Sequence, residues 1–325
     1  MRRLSPIVIL WLALVVVTSA HAQPAPTNHV LLIGGLGGDA NYTGQFARYL
    51  AETRTLLIDR HGVPEANVTV LAEAGIADRP FVDGESTAEN IRDTFERIGR
   101  RIAAGDQLWV ILFGHGSYDG SRASLNIPRR DLSDVDYGAL LDGIAAERIV
   151  FINTASTSGP FAEALAGPDR VVITATARGT ERDATVFPQY VVEALGSPDA
   201  DLDKDGAVSA RELFVYAAGR ATRTFEDAGQ IATEHAALED DGDGKATRAD
   251  ALEGASDGHL AAATFLRPPQ AISAADLPLV QERQELERQI AAVKQRKAQL
   301  SEDAYYVELE TLFVRLARLN ERLDP

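Results

Sequence analysis

Two short apolar runs limit what this chain can fold into. Leu108-Trp109-Val110-Ile111-Leu112-Phe113 stops at Gly114-His115-Gly116-Ser117, and Ile149-Val150-Phe151-Ile152 stops at Asn153-Thr154-Ala155-Ser156-Thr157-Ser158-Gly159. A strand with one wet face alternates apolar and polar residues, whereas an unbroken apolar run is covered on both faces. Such strands imply an α/β fold with a mostly parallel sheet flanked by helices. His29–Ile33, Val68–Leu71 and Arg170–Thr176 repeat the pattern. Between them Ser86–Arg101 places Ile91, Phe95, Ile98 and Ile102 three or four apart, as an amphipathic helix does. Leu132–Ile144 and Phe161–Ala166 read as further helices, and Gly258–Leu266 as a final edge strand. Strand–helix alternation gives right-handed crossovers, and ligands of such sheets bind at the carboxyl ends of the strands. His115 and Ser156 both fall there.

These strand ends resemble the caspase–legumain superfamily of cysteine peptidases, most closely its legumain branch. That family carries a catalytic His in a strand-then-His-Gly motif, matched by His115-Gly116. Its nucleophile lies in a strand-then-Ala-Cys-x-Ser-Gly motif, matched by Ala155-Ser156-Thr157-Ser158-Gly159. The likeness continues through Asn41-Tyr42-x-x-Gln45 and Arg60-His61-Gly62-Val63-Pro64. It implies a caspase-like domain over residues 28–267 and a peptide-binding cleft. It further implies His115 as base, the Gly116 amide as oxyanion donor, and Thr174, Ala175 and Arg178 along a specificity pocket. Two departures stand out. Ser156 occupies the cysteine position in a chain with no cysteine, and Leu36-Gly37 stands where legumains place a catalytic Asn.

The serine changes the chemistry. A cysteine is partly thiolate near neutral pH, but a serine hydroxyl needs a base within hydrogen-bond reach and an oriented imidazole. Asp119 is the nearest carboxylate in sequence and the candidate orienter of His115. Three readings follow: an impaired peptidase homologue that binds a peptide or protein segment, a weak hydrolase using Ser156 with His115, and a calcium-dependent scaffold with a vestigial cleft. The Arg178, Glu181, Arg182 and Asp183 loop fits a substrate-recognition loop and a solvated loop equally. Gly35-x-Gly37-x-x-Ala40 matches a dinucleotide fingerprint. That fingerprint needs an acid about 20 residues on, after the second strand. The first acid there is Glu73, so a tight turn passing under the site is the better reading. His61 is expected to cap the helix end before Gly62.

Asp201-Leu202-Asp203-Lys204-Asp205-Gly206-Ala207-Val208-Ser209-Ala210-Arg211-Glu212 fits an EF-hand loop. Asp201, Asp203, Asp205, the Ala207 carbonyl, Ser209 and Glu212 are the expected calcium (Ca2+) ligands. A poorer copy runs from 239 to 250, with Glu239, Asp241, Asp243, Lys245, Thr247 and Asp250 at the ligand positions. Its Glu at the first position and shorter Asp at the last depart from the pattern.

Arg2 and Arg3, the apolar Ile7–Ala20 stretch and Ala20-His21-Ala22 read as a signal peptide over residues 1–22, implying a periplasmic or secreted protein. The apolar stretch is short for a membrane span, so none is expected after cleavage. The whole chain carries a formal charge of −16, and cleavage removes two arginines more. That balance argues against nucleic acid as a partner. Residues 277–325 form a second unit. Leu279, Leu286, Val293 and Leu300 recur every seven residues, and Leu309, Leu312, Leu316, Leu319 and Leu323 follow three or four apart. They predict a helical hairpin or coiled coil that packs on the domain, self-associates or receives a partner.

Overall fold

The computed structural model describes residues 27–269, 279, 282–283, 285–286, 289–290, 293 and 296–323. The signal peptide expected over 1–22 lies outside the described residues, as does part of the expected hairpin. In chain order the elements are β1 (Asn28–Gly34), α1 (Ala40–Asp59), β2 (Val68–Ala72), α2 (Ala74–Ala77), β3 (Gly84–Glu85) and α3 (Ala88–Arg101). There follow β4 (Gln107–Phe113), β5 (Gly116–Tyr118), β6 (Ala123–Leu125), β7 (Leu132–Ser133), α4 (Asp134–Asp142), β8 (Arg148–Asn153), α5 (Pro160–Leu165) and β9 (Arg170–Thr174). α6 (Phe187–Gly196), α7 (Ala210–Asp227), β10 (Ala237–Glu239), β11 (Thr247–Arg248) and α8 (His259–Ala262) complete the domain.

Eight strands form one sheet in the order β11-β10-β9-β8-β4-β1-β2-β3. The pairings from β9 to β3 are parallel, and β10 and β11 close one edge antiparallel. The alternation hidden in the apolar runs is an alternation between two cores. Leu32, Trp109, Ile111, Phe113, Val150 and Ile152 pack on one face with α1, α6 and α7. Leu31, Ile33, Val110, Leu112, Ile149 and Phe151 pack on the other with α3, α4 and α5. Each strand residue therefore needs an apolar side chain, which is why the runs show no polar position. A small antiparallel sheet, β5-β6-β7, stands beyond the carboxyl end of β4.

Helix starts follow local capping. Thr87 caps α3 through the Asn90 amide, leaving Ser86 outside the helix, where its hydroxyl donates to the Gly34 carbonyl at 2.7 Å. Ser133 and Asp136 form a capping box that starts α4 at Asp134, so Leu132 and Ser133 are left for β7.

Two expectations are corrected. Gly258–Leu266 is not an edge strand. Gly258 adopts φ +94°, α8 follows it, and only Phe265 forms a bridge, to Ser209. The edge beside β9 is taken by β10 instead. The His61 amide caps its own helix, donating to the Leu56 carbonyl at 3.1 Å, but its side chain does not. Its Nε2 lies 2.9 Å from the carbonyl of Leu195, near the end of α6, and burial pushes its pKa down, favouring the neutral ring.

In the C-terminal segment Leu286, Ile290 and Val293 pack against Leu309, Leu312 and Leu319, apart from the two sheet cores. The last helix, Glu302–Leu323, starts after Ser301 with Glu302 and Asp303 in its first turn, where acids favour a helix N-terminus. Among the described residues no helix is long and apolar enough to cross a membrane.

The centre of the second core supplies a test of packing. Tyr137 is fully buried, with its ring centroid 5.5 Å from Phe151 and 5.9 Å from Phe161, yet among the described residues its hydroxyl has no hydrogen-bond partner. An orphan buried hydroxyl stabilises nothing, whereas the ring fills volume. Tyr137→Phe should leave stability unchanged or raise it by about 1 kcal/mol, and Tyr137→Ala should lower it by about 3–5 kcal/mol. Chemical denaturation measures both, and a Phe variant as unstable as the Ala variant would contradict the assignment.

Candidate functional site

Strand order brings three turns together. β4 lies between β1 and β8, with Phe113 opposite Gly34 and Leu112 opposite Asn153. Their carboxyl ends therefore release Gly35–Gly37, Gly114–Gly116 and Thr154–Ser156 side by side. Backbone bonds lock them: the Gly35 amide donates to Phe113 at 2.7 Å, the Leu36 amide to Asn126 at 2.8 Å, and the Thr154 hydroxyl to Leu112 at 2.6 Å. The glycine turn after β1 serves close approach. A Cβ on Gly35 would stand 2.5 Å from the Asn126 carbonyl oxygen, and one on Gly37 would stand 2.4 Å from the Thr43 amide nitrogen.

His115 is half-buried, its ring held edge-on by Tyr42 at 4.4 Å and by Phe46 at 5.3 Å, both from α1. Burial pushes its pKa below the ordinary value, while the Asp39 charge and a hydrogen bond to the Gly37 carbonyl push the other way. The imidazole is thus mainly neutral at neutral pH. Asp119 is not its orienter. That carboxylate is exposed and accepts the Ser121 and Arg122 amides at 2.7 and 2.8 Å, closing its own turn. The acid that acts on His115 is Asp39, which also caps α1 through the Asn41 and Tyr42 amides. Asp39 sits far from His115 in sequence, and only the pairing of β1 with β4 brings them together.

Ser156 is buried, and its hydroxyl is committed to Gly116. The Gly116 amide donates to Oγ at 3.2 Å, and Oγ lies 3.4 Å from the Gly116 carbonyl. Among the described residues no hydrogen bond joins His115 to Ser156. Thr157 follows at φ +58°, a strained conformation for a β-branched residue. Its amide donates to the Glu181 carbonyl at 2.8 Å, and its hydroxyl is buried without a partner among the described residues.

The loops after β8 and β9 interlock beneath these residues. Gly159 donates to the Thr176 hydroxyl at 3.0 Å, Thr176 donates to Ser158 at 3.2 Å, and the Thr185 hydroxyl donates to the Thr154 carbonyl at 2.7 Å. Of the expected pocket residues, Thr174 and Ala175 are buried inside this wall, and Arg178 is exposed. The 178–186 loop is clamped from the lead-in to β10. Glu181 accepts the His235 amide at 2.9 Å, and Glu234 accepts the Val186 and Phe187 amides at 2.9 and 3.0 Å. Burial, aided by the Glu181 charge, pushes the Glu234 carboxyl up to about 8. No motif in the sequence marks Glu234 or His235.

In the first acidic loop, oxygens of Asp201, Asp203 and Asp205 lie within 4.8 Å of one another. Gly206, at φ +92°, turns its amide onto Asp201 at 3.0 Å. Ser209 caps α7 in a capping box with Glu212, and the other oxygen of Glu212 reaches back to the Leu202 and Asp203 amides. Ala207 is buried, its amide bonded to Asp205 at 2.9 Å. Burial and the charges of Glu212 and Asp201 push the Asp203 carboxyl up, opposed by Arg283 of the C-terminal segment. Converging, mutually repelling carboxylates fit a hard cation bound through oxygen.

In the second loop Glu239, Asp241 and Asp243 converge likewise. Asp250 does not join them: it is exposed and pairs with Arg248 at 2.9 Å. Its spacing is right, but a 3-10 turn over Ala249–Ala251 holds it on the surface. Lys245 is exposed with its ammonium 3.2 Å from Asp243, and the Thr247 hydroxyl donates to Asp257 at 2.6 Å.

Compared with known proteins, the chain matches no family model and no curated protein at a significant level. Any likeness to the caspase–legumain superfamily therefore rests on the strand-end residues themselves.

The His115 environment yields a residue-specific expectation. In an NMR titration its imidazole should ionise below the ordinary histidine value of 6.5, and in Asp39→Asn lower still, because removing the anion removes the force favouring imidazolium. Asn retains the helix cap. A midpoint that rises in the variant would show that Asp39 does not act on the ring.

Proposed function

We propose that this chain is a caspase–legumain-like protein without peptidase activity, working outside the cytoplasm as a calcium-binding module that holds a peptide or protein segment in its cleft. The observation that carries this reading is the state of Ser156. Its hydroxyl is hydrogen-bonded to Gly116, the amide that would otherwise receive an oxyanion, and it lacks any bond to His115. A serine nucleophile needs that bond, because without a base to accept its proton the hydroxyl is un-ionised at neutral pH. His115, held by Tyr42 and Phe46, is left as a neutral polar group on the cleft wall.

Calcium is the cation favoured in the 201–212 loop. Its donors are carboxylates and backbone carbonyls, the hard oxygen ligands Ca2+ prefers. Bound there, it would neutralise Asp201, Asp203 and Asp205 and fix the approach to α7, which packs on the first core. Extracellular modules of this type bind at roughly 10⁻⁴ to 10⁻³ M, the concentration regime outside the cytoplasm.

The test compares the chain with Ser156→Ala and Ser156→Cys on a mixed fluorogenic peptide library, with calcium and with chelator. The parent and the Ala variant should show binding by fluorescence anisotropy and no turnover above background. The Cys variant should gain turnover by at least tenfold if the cleft retains peptidase geometry. Parent turnover that Ser156→Ala abolishes would sink the proposal and establish a serine hydrolase.

A further inference from the structure

The strongest unexplained feature outside the cleft is the inner end of β10. Glu239 is completely buried, and its carboxylate turns into the 240–247 loop. Oε1 accepts the Gly242 and Gly244 amides at 2.8 and 3.1 Å, and both glycines take positive φ, 83° and 77°, which aims those amides inward. Oε2 is buried and receives no hydrogen bond among the described residues. An anionic oxygen so placed is costly unless a cation meets it. Carboxylate oxygens of Glu239, Asp241 and Asp243 gather within 4.8 Å, so the orphan group belongs to a convergent set and not to an isolated defect.

A fourth carboxylate, beyond that 4.8 Å group, is near enough for its charge to act on Glu239 and to feel Asp241. Asp257 is buried in the turn before α8. Its Oδ1 accepts the Asp240 amide at 3.0 Å, and its Oδ2 accepts the Thr247 hydroxyl at 2.6 Å, which fastens it to both ends of the loop. Asp240 points the other way, accepting the Gly258 and Ala261 amides at 2.7 Å each, and acts as a stitch. Among the described residues the one side-chain cation bonded to the set is Lys245, on the exposed Asp243. Among the described residues no basic side chain bonds to Glu239.

We infer that Glu239, Asp241, Asp243 and Asp257 form a second divalent-cation site, completed by Asp257 from the turn before α8 and not by Asp250. The site is independent of the cleft and of the 201–212 loop. A hard cation such as Ca2+ suits its all-oxygen donors, with backbone carbonyls and water completing the coordination. Its structural effect is to tie the antiparallel edge of the sheet to α8.

Calorimetric titration of the chelator-stripped full chain with Ca2+ tests this. The parent should bind two ions and Asp250→Asn should still bind two. Glu239→Gln and Asp257→Asn should each lose one site or weaken it at least tenfold, while Asp201→Asn loses the other. Since Asp257 also holds the Asp240 amide, a second readout uses the parent alone: Ca2+ should slow hydrogen exchange at the Gly242 and Gly244 amides at least tenfold. Unchanged exchange there overturns the inference, as does Asp250→Asn behaving like Asp257→Asn. A single site lost in Asp257→Asn but kept in Asp201→Asn would uphold it while removing calcium from the first loop.

Discussion

A methyl group on Gly116 would stand 2.1 Å from the Ser156 carbonyl oxygen and 2.8 Å from the Thr157 hydroxyl. That contact between the turns after β4 and β8 sets the shape of the strand-end site. Neighbouring parallel strands are about 4.8 Å apart, so turns leaving their carboxyl ends collide unless one backbone carries no side chain. Gly159 meets the same limit one layer lower, where a Cβ would lie 2.5 Å from the Ala177 carbonyl carbon. The Gly116 amide and the Ser156 hydroxyl are therefore pressed into partnership by the sheet's own spacing.

Outside the apolar cores, carboxylates do most of the tying. Asp106 accepts the Thr27 and Ala103 amides and lies 3.3 Å from His29, fixing the start of β1. Glu234 seats α6, Glu181 holds His235, and Asp240 with Asp257 joins β10 to α8. A backbone amide gives a buried carboxylate a strong, charge-assisted hydrogen bond without adding a positive side chain. This is how a chain with 48 acidic and 32 basic residues keeps acids inside, and it leaves the folded molecule rich in sites of unbalanced negative charge.

The sheet was readable because every position of the apolar runs in β1, β4 and β8 serves one of two cores, and a doubly covered strand has no other composition. The 201–212 cluster was readable because its carboxylates lie within one loop of chain. What escaped depends on partners distant in sequence. Asp119 is close to His115 along the chain, yet it closes a hairpin of its own, while Asp39 arrives through strand pairing. Asp250 has the expected spacing but is held outside by a 3-10 turn, and Asp257 comes inside because Thr247 and Asp240 fasten it. Gly258–Leu266 has strand composition, but the Asp240 carboxylate captures two of its amides and winds them into α8. Local pattern loses wherever a buried side chain supplies the backbone's hydrogen bonds.

The same principle bears on the serine. A neutral thiol is a weak hydrogen-bond partner, and a thiolate, already deprotonated, does not need its base in contact, so a cysteine frame can leave histidine and nucleophile on separate strand ends. A hydroxyl is small, un-ionised and both donor and acceptor. Set in that frame it takes the nearest amide and carbonyl, which here belong to Gly116. Recovering a serine nucleophile would require moving His115 out of its Tyr42–Phe46 seat or breaking the Gly116 contact, and the first is packed into α1 while the second is set by strand spacing. Among the described residues the Ser156 hydroxyl therefore bonds to Gly116 and not to His115.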